Sequence, residues 1–127
     1  MKKITMLLVL GAAFAAAGHA GTYTARQDVE CPLVSSGQLA EAVQQAGRTT
    51  GLDLPKDMVL RTELRCTADG KRFLYAFRAS IEKQLADGEQ LRWAPVADLT
   101  AYGSAAGSAA LLRQVRFTVR DLVRQEP

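Results

Sequence analysis

Histidine is almost absent from this chain of 127 residues, and its single copy, His19, lies close to the amino terminus. Residues 1–20 have the form of a secretory signal peptide: Lys2 and Lys3 precede a mainly apolar run, and small residues surround the expected cut after Ala20. Cleavage there removes His19. A mature domain without histidine has no Ser-His-Asp site, no Cys-His site and no histidine-ligated metal. We therefore assign no catalytic residue, no metal site and no cofactor.

Long apolar runs are also lacking. The run near the amino terminus is too short to span a bilayer, and no later stretch approaches the roughly 18 apolar residues that a span requires. No cysteine follows this run directly, which argues against a lipid anchor there. We expect residues 1–20 to be removed and residues 21–127 to form one soluble domain, which is periplasmic or secreted.

After the signal peptide, neither sign of charge is in clear excess. The whole chain has 16 Lys and Arg against 13 Asp and Glu, and the loss of Lys2 and Lys3 leaves 14 against 13. A nearly balanced net charge gives no general reason to expect nucleic acid or a membrane surface as a partner.

Cysteine is limited to two residues, Cys31 and Cys66. An even count in an exported chain predicts a disulfide, whereas a redox pair normally has its cysteines close together as Cys-x-x-Cys. The spacing therefore favours a structural crosslink, which is worth on the order of 4 kcal/mol in the chain-entropy description.

The region that organises the chain is a predicted β-hairpin from Asp57 to Glu82. Period-two alternation runs through both arms. A two-residue turn at Asp69-Gly70 would pair Leu64 with Tyr75 and bring the apolar side chains onto one face. The predicted inward set is Met58, Leu60, Thr62, Leu64 and Cys66 on the first arm, and Phe73, Tyr75, Phe77, Ala79 and Ile81 on the second.

A second Asp-Gly pair, at residues 87–88, predicts a third strand. A two-residue turn would direct Trp93 to the outer face, whereas a three-residue loop with Gly88 in the left-handed conformation pairs Trp93 with Ile81 on the inward face. We expect the longer loop because it buries the tryptophan. Pro95 cannot donate to a ladder, so this strand should be an edge or be interrupted there.

Two helices are predicted to flank these strands. Ser35 is a candidate N-cap with Gln38 three residues later, and Gly47 is the expected end of the first helix. The second helix covers Ala109 to Gln125, where apolar residues recur at helical spacing. Residues 115–119 also alternate as a strand would, but the helix accounts for the leucines outside that stretch.

The predicted fold is therefore a small single-domain α+β sandwich. Its order is helix, three-stranded antiparallel sheet, helix. Residues 21–34, which lack strong periodicity, would add an extra N-terminal strand or an arm.

The candidate site is a stripe on the C-terminal helix, formed by Arg113, Arg116, Phe117, Arg120 and Arg124. Arginine-rich outer faces are ordinarily solvated surface. An aromatic side chain among arginines, however, is typical of the centre of a protein interface. We predict that this stripe contacts an acidic surface of another protein.

Three functions follow from these observations. The first is a non-catalytic exported protein that acts by binding another protein, as an envelope accessory, a secreted factor or an inhibitor. The second is a carboxylate-dependent envelope enzyme such as a glycan-cleaving hydrolase, which would need two carboxylates facing across a cleft. The third is a binder of an anionic ligand through the arginine stripe.

Overall fold

A computed structural model describes residues 23–125, so the predicted signal peptide lies outside the described residues. Four strands and two helices occupy this part of the chain. They are β1 (Thr24–Glu30), α1 (Ser36–Thr50), β2 (Met58–Asp69), β3 (Arg72–Asp87), β4 (Gln90–Ala105) and α2 (Ser108–Gln125). The strands form one mixed sheet in the order β1-β2-β3-β4. The fold belongs to the α+β class, as predicted.

The prediction of a three-stranded antiparallel sheet is wrong in strand number and direction. The open question about the N-terminal segment is answered by β1, which pairs in parallel with β2, while β2, β3 and β4 are antiparallel. Parallel neighbours need a crossover connection, and α1 with its loops provides it. All of β1 except Val29 is exposed, so no burial selects an alternating pattern in its sequence.

Helix α1 begins as predicted and ends later than predicted. The Ser35 hydroxyl accepts a hydrogen bond from the Gln38 N–H at 3.1 Å, and the Gln38 Oε1 accepts one from the Ser35 N–H at 2.9 Å. This is a capping box. The helix continues through Gly47 to Thr50 and is capped by Gly51, which has a φ of +67°. The Tyr23 ring packs so closely on Gly47 that a Cβ there would lie 2.8 Å from ring carbons.

The first hairpin has the predicted faces but a different turn. Its two-residue turn is Gly70-Lys71, and Leu64 pairs with Phe77 rather than with Tyr75. This register differs from the predicted one by two residues, so every side chain keeps its face. The inward set is therefore correct although the individual pairs are not.

The second hairpin also closes with a two-residue turn, Gly88-Glu89, so the predicted three-residue loop is wrong. Strand β4 contains a β-bulge. Ile81 pairs with Ala97, whereas the next residue of β3 pairs with Pro95, which leaves Val96 as the extra residue. The proline lies on an edge strand and at a bulge, the two places where a sheet tolerates it.

Trp93 faces away from the helices, contrary to prediction. It lies opposite Gln84, and alternation from Pro95, the partner of Glu82, places it on the outer face of the sheet. Its side chain is nevertheless half-buried. On the outer face the Arg26 guanidinium carbon lies 5.3 Å from the centroid of its ring and covers part of it.

The core lies between the inward face of the sheet and both helices. Residues 115–119 are helical, which resolves the alternative of a strand. Helices and strands contribute to one hydrophobic cluster, so both helices pack on the same face of the sheet. The largest fully buried side chains of this cluster include Phe77, Leu39, Leu60, Leu64, Ile81, Leu111 and Leu122.

The predicted disulfide between Cys31 and Cys66 is present, with the Cα atoms 4.6 Å apart. The parallel register explains the pairing, because Glu30 lies beside Arg65 and the two cysteines are the next residues along each strand. The bond closes 35 residues of sequence and attaches the end of β1 to β2.

Candidate interaction surface on helix α2

The predicted site residues lie on the side of α2 that faces away from the core. At about 100° per residue, Arg113, Phe117, Arg120 and Arg124 fall within roughly 60° of one another, and Arg116 lies beside them. We call these five residues the arginine face. The buried side chains of α2 occupy the opposite side of the helix and are Leu111, Val115, Thr118, Val119 and Leu122.

Phe117 is the large apolar side chain of the arginine face, and 49% of it is exposed. The Arg120 guanidinium carbon lies 5.7 Å from the centroid of its ring, within the range of a cation–π contact. The Nε of Arg120 is buried without a hydrogen-bond partner, so holding the guanidinium against the ring has a desolvation cost. The contact limits the orientations of both side chains on the helix surface.

Three of the four arginines of this face form no salt bridge among the described residues. Arg124 lies 3.8 Å from the Asp121 carboxylate, one turn away on the same helix. Arg113, Arg116 and Arg120 form no salt bridge within residues 23–125. These three guanidinium groups therefore have no ion-pair partner within 4 Å in the described part of the chain.

A shallow groove of about 210 Å³ separates α2 from α1 and continues the arginine face at Arg116. The α1 side carries both charge signs, from Glu41 and Arg48. Sequence reasoning missed these two residues, because only the packing of the two helices brings them beside Arg116. The groove is lined by Gln38, Glu41, Ala42, Gln45, Arg48, Leu112 and Arg116.

Carboxylates on the outer face of the sheet are paired with arginines. Arg78 donates to Asp98 through two bonds, Nε to Oδ1 at 3.0 Å and Nη2 to Oδ2 at 2.7 Å. The hydrogen bond from Arg78 lowers the pKa of Asp98, and the same bond raises the pKa of Arg78. Arg65 also bonds to both Asp28 and Glu30 across the β1–β2 pair.

This pairing has a chemical consequence for Asp98. A general acid must be protonated near neutral pH, which requires a raised pKa in a carboxyl group, whereas the pKa of Asp98 is lowered. Asp98 is thus suited to holding β3 against β4 rather than to proton transfer.

Residues 23–125 contain no group of three or more His, Cys, Asp or Glu side chains arranged to hold a metal ion. Neither helix in this part of the chain is long and apolar enough to cross a membrane.

Comparisons with known proteins identify no family for this chain. No family model matches the chain, and no curated protein matches it either. One similar solved structure is that of a minor lipoprotein from Acinetobacter baumannii, at 21% sequence identity, with 83% of this chain and 88% of that chain covered. The TM-score of that comparison is 0.25, which is too low for the likeness to support a fold or a function.

Proposed function

We propose that this protein is a small exported, non-catalytic protein that acts by binding an acidic surface of a partner protein through the arginine face of α2. The observation that carries the proposal is the position of Phe117. It projects from the side of α2 opposite the core, with 49% of its surface exposed, among arginines that have few counter-charges of their own.

Export is supported by the N-terminal pattern of residues 1–20 and by the Cys31–Cys66 disulfide. Disulfides form and persist in oxidising compartments such as the periplasm or the cell exterior. The bond lies between the end of a strand and its neighbour, where it reinforces the sheet, and this position suits a structural role.

The chemistry of the face supports a protein partner. Interface centres favour aromatic side chains and arginine, which combine apolar contact area with directed hydrogen bonds. Phe117 would supply the contact area, and the surrounding guanidinium groups would bind carboxylates. The positive charge would also steer an acidic partner toward this side of the molecule.

Affinity capture from envelope extract and culture supernatant, with four baits compared in parallel, tests the proposal. Four baits of the mature protein, residues 21–127, are compared by quantitative mass spectrometry: the native chain, Phe117→Ala, the double variant Arg113→Gln/Arg120→Gln, and Leu91→Ala. Leu91 is the control, because it is 65% exposed but lies on β4, away from the arginine face.

We expect one acidic protein to be captured by the native chain and by Leu91→Ala but lost with Phe117→Ala. With the purified partner, removal of an aromatic anchor should weaken binding by at least about 2 kcal/mol, or roughly thirty-fold in Kd. The double arginine variant should mainly slow association and reduce its salt dependence.

Two results would contradict this function. If Phe117→Ala lowers the melting temperature by several degrees while binding per folded molecule is unchanged, Phe117 stabilises the fold and is not an anchor. If binding depends on the arginines alone and the ligand is a small anion or an anionic polymer, the arginine face binds anionic ligands and has no protein anchor.

A further inference from the structure

The two edges of the sheet differ in how they are protected. Strand β1 is only seven residues long, and its last three residues on the face away from the helices are charged: Arg26, Asp28 and Glu30. The disulfide at Cys31 fixes its end to β2. Short length and alternating charge are the usual features that prevent an edge strand from pairing with another chain.

The other edge, β4, lacks these features in its second half. Among the described residues no strand pairs with the outer side of β4. Pro95 and the bulge at Val96 interrupt the first half. Residues 97–105 contain no proline and no basic residue, and their one charge, Asp98, is bound by Arg78 of the same chain. This half is therefore a regular edge with no neighbouring strand, although its Ser104 carbonyl accepts a hydrogen bond from the Arg72 Nη2 at 3.1 Å.

The side chains of this segment are incompletely covered on both faces. Leu99 and Ala101 face the helices but are only half-buried, although the core cluster begins immediately beside them. On the outer face, Tyr102 is 79% exposed. An added strand would cover apolar atoms on both sides of the sheet, in addition to pairing the backbone groups.

We propose that residues 97–105 of β4 pair with the same segment of a second copy of this chain, antiparallel and centred on Ala101. The unpaired donors and acceptors of an edge are matched by another extended strand. With Ala101 opposite itself, facing residues of the two strands point to the same side of the sheet. The helices of both copies therefore lie on one side of a continuous eight-stranded sheet.

Charge complementarity favours this register over one centred a residue later. It places Asp98 opposite Ser104 of the second copy, and the Ser104 Oγ accepts a hydrogen bond from the Arg72 Nε at 2.8 Å. The Asp98 carboxylate of each copy, which its own Arg78 already binds, therefore lies near a second guanidinium, that of Arg72 in the other copy. If the pairing were centred on Tyr102 instead, Asp98 would lie beyond Ala105, the last residue of the facing strand.

Sedimentation velocity of the native mature protein, followed to ~1 mM, tests self-association. Register is tested with Ala101→Cys and with Ala97→Cys, which lies on the same face of the same strand and is also half-buried. Facing residues of an antiparallel pair have Cα atoms about 4.5–5.5 Å apart, within reach of a disulfide. The two copies of residue 97 would be offset by eight residues, or about 26 Å.

We expect a reversible monomer–dimer equilibrium, with rapid oxidation of Ala101→Cys to a covalent dimer at least tenfold faster than for Ala97→Cys. A purely monomeric native protein over the whole range overturns the proposal. So does a dimer in which both variants crosslink equally, or in which Ala101→Cys fails to crosslink, because the contact then lies elsewhere. Circular dichroism of each variant verifies that the compared chains are folded.

Discussion

Arg26 and Trp93 lie on strands at opposite edges of the sheet, yet the Arg26 guanidinium carbon is 5.3 Å from the centroid of the indole ring. The β3–β4 hairpin extends beyond the start of β2, so residues 85–93 have no β2 neighbour. Two-stranded ribbons twist strongly, and this twist curls the extension across the outer face of the sheet.

Two residues on this face of the sheet are buried although no helix covers it. Val59 and Ser80 point outward but are only 3% and 2% exposed. Arg26 lies in the row of Ser80, since both pair with Arg61, and the tryptophan that stacks on Arg26 lies over the same region. A second, small covered patch therefore exists on the outer face, at the end of the sheet where the hairpin folds over.

Replacing Arg26 should loosen this patch. We expect Arg26→Ala to increase iodide quenching of Trp93 fluorescence and to lower the free energy of unfolding by about 0.5–1 kcal/mol, the range of an exposed cation–π pair. Arg92→Ala is the matched control, since that arginine neighbours the tryptophan in sequence but contacts Asp87 instead. Equal quenching in both variants would show that Arg26 does not cover the ring.

A methyl group at Gly103 should destabilise the sheet. Gly103 pairs with Tyr75, and an added Cβ would overlap the tyrosine ring. We expect Gly103→Ala to cost about 1–3 kcal/mol in urea unfolding, because a packed ring must shift. Gly107→Ala, whose Cβ would meet nothing within 4 Å, should be nearly neutral.

A double variant identifies the cause of that loss. If the tyrosine ring is responsible, Gly103→Ala should cost less in a Tyr75→Leu background than in the native chain. Additive losses would assign the effect to backbone conformation instead.

The disulfide should contribute several kcal/mol of stability. Closing 35 residues constrains the unfolded chain, so the Cys31→Ser/Cys66→Ser variant should unfold about 2–4 kcal/mol more easily. Exported protein should have an intact mass about two daltons below that of the dithiol. Titration of two free thiols in native exported protein would contradict this prediction.

The Arg78–Asp98 pair should give a stability difference that depends on pH. Because the folded-state pKa of Asp98 is lowered, its contribution is full above the unfolded-state pKa of about 3.9 and is lost as pH falls through the folded-state value. Both side chains are about two-fifths exposed, so we expect Asp98→Asn to cost at most about 1 kcal/mol at pH 7. The difference between the two proteins should therefore shrink as pH falls through the folded-state pKa of Asp98. A difference that does not change with pH would assign the effect to packing.

The sequence alone determined which faces are buried and where several elements lie. Alternation assigned the inward set of the first hairpin, the Ser35 and Gln38 pair placed the start of α1, and the even cysteine count predicted the disulfide. Helical spacing identified α2 and placed Phe117 on its outer side. These features depend on neighbours within a few residues or on chemistry that composition reveals, so a linear pattern carries them.

The tertiary structure decided the registers, the strand count and the position of Trp93. A two-residue change of register preserves every face, so alternation could not distinguish the turn at Gly70-Lys71 from one at Asp69-Gly70. Pro95 indicated an interruption of β4, but it could not show that Val96 is an extra residue that changes the parity of the strand beyond it. Six of the seven residues of β1 are exposed, so burial left no alternating pattern in its sequence, and its ion pairs with Arg65 depend on a register that only the folded sheet defines.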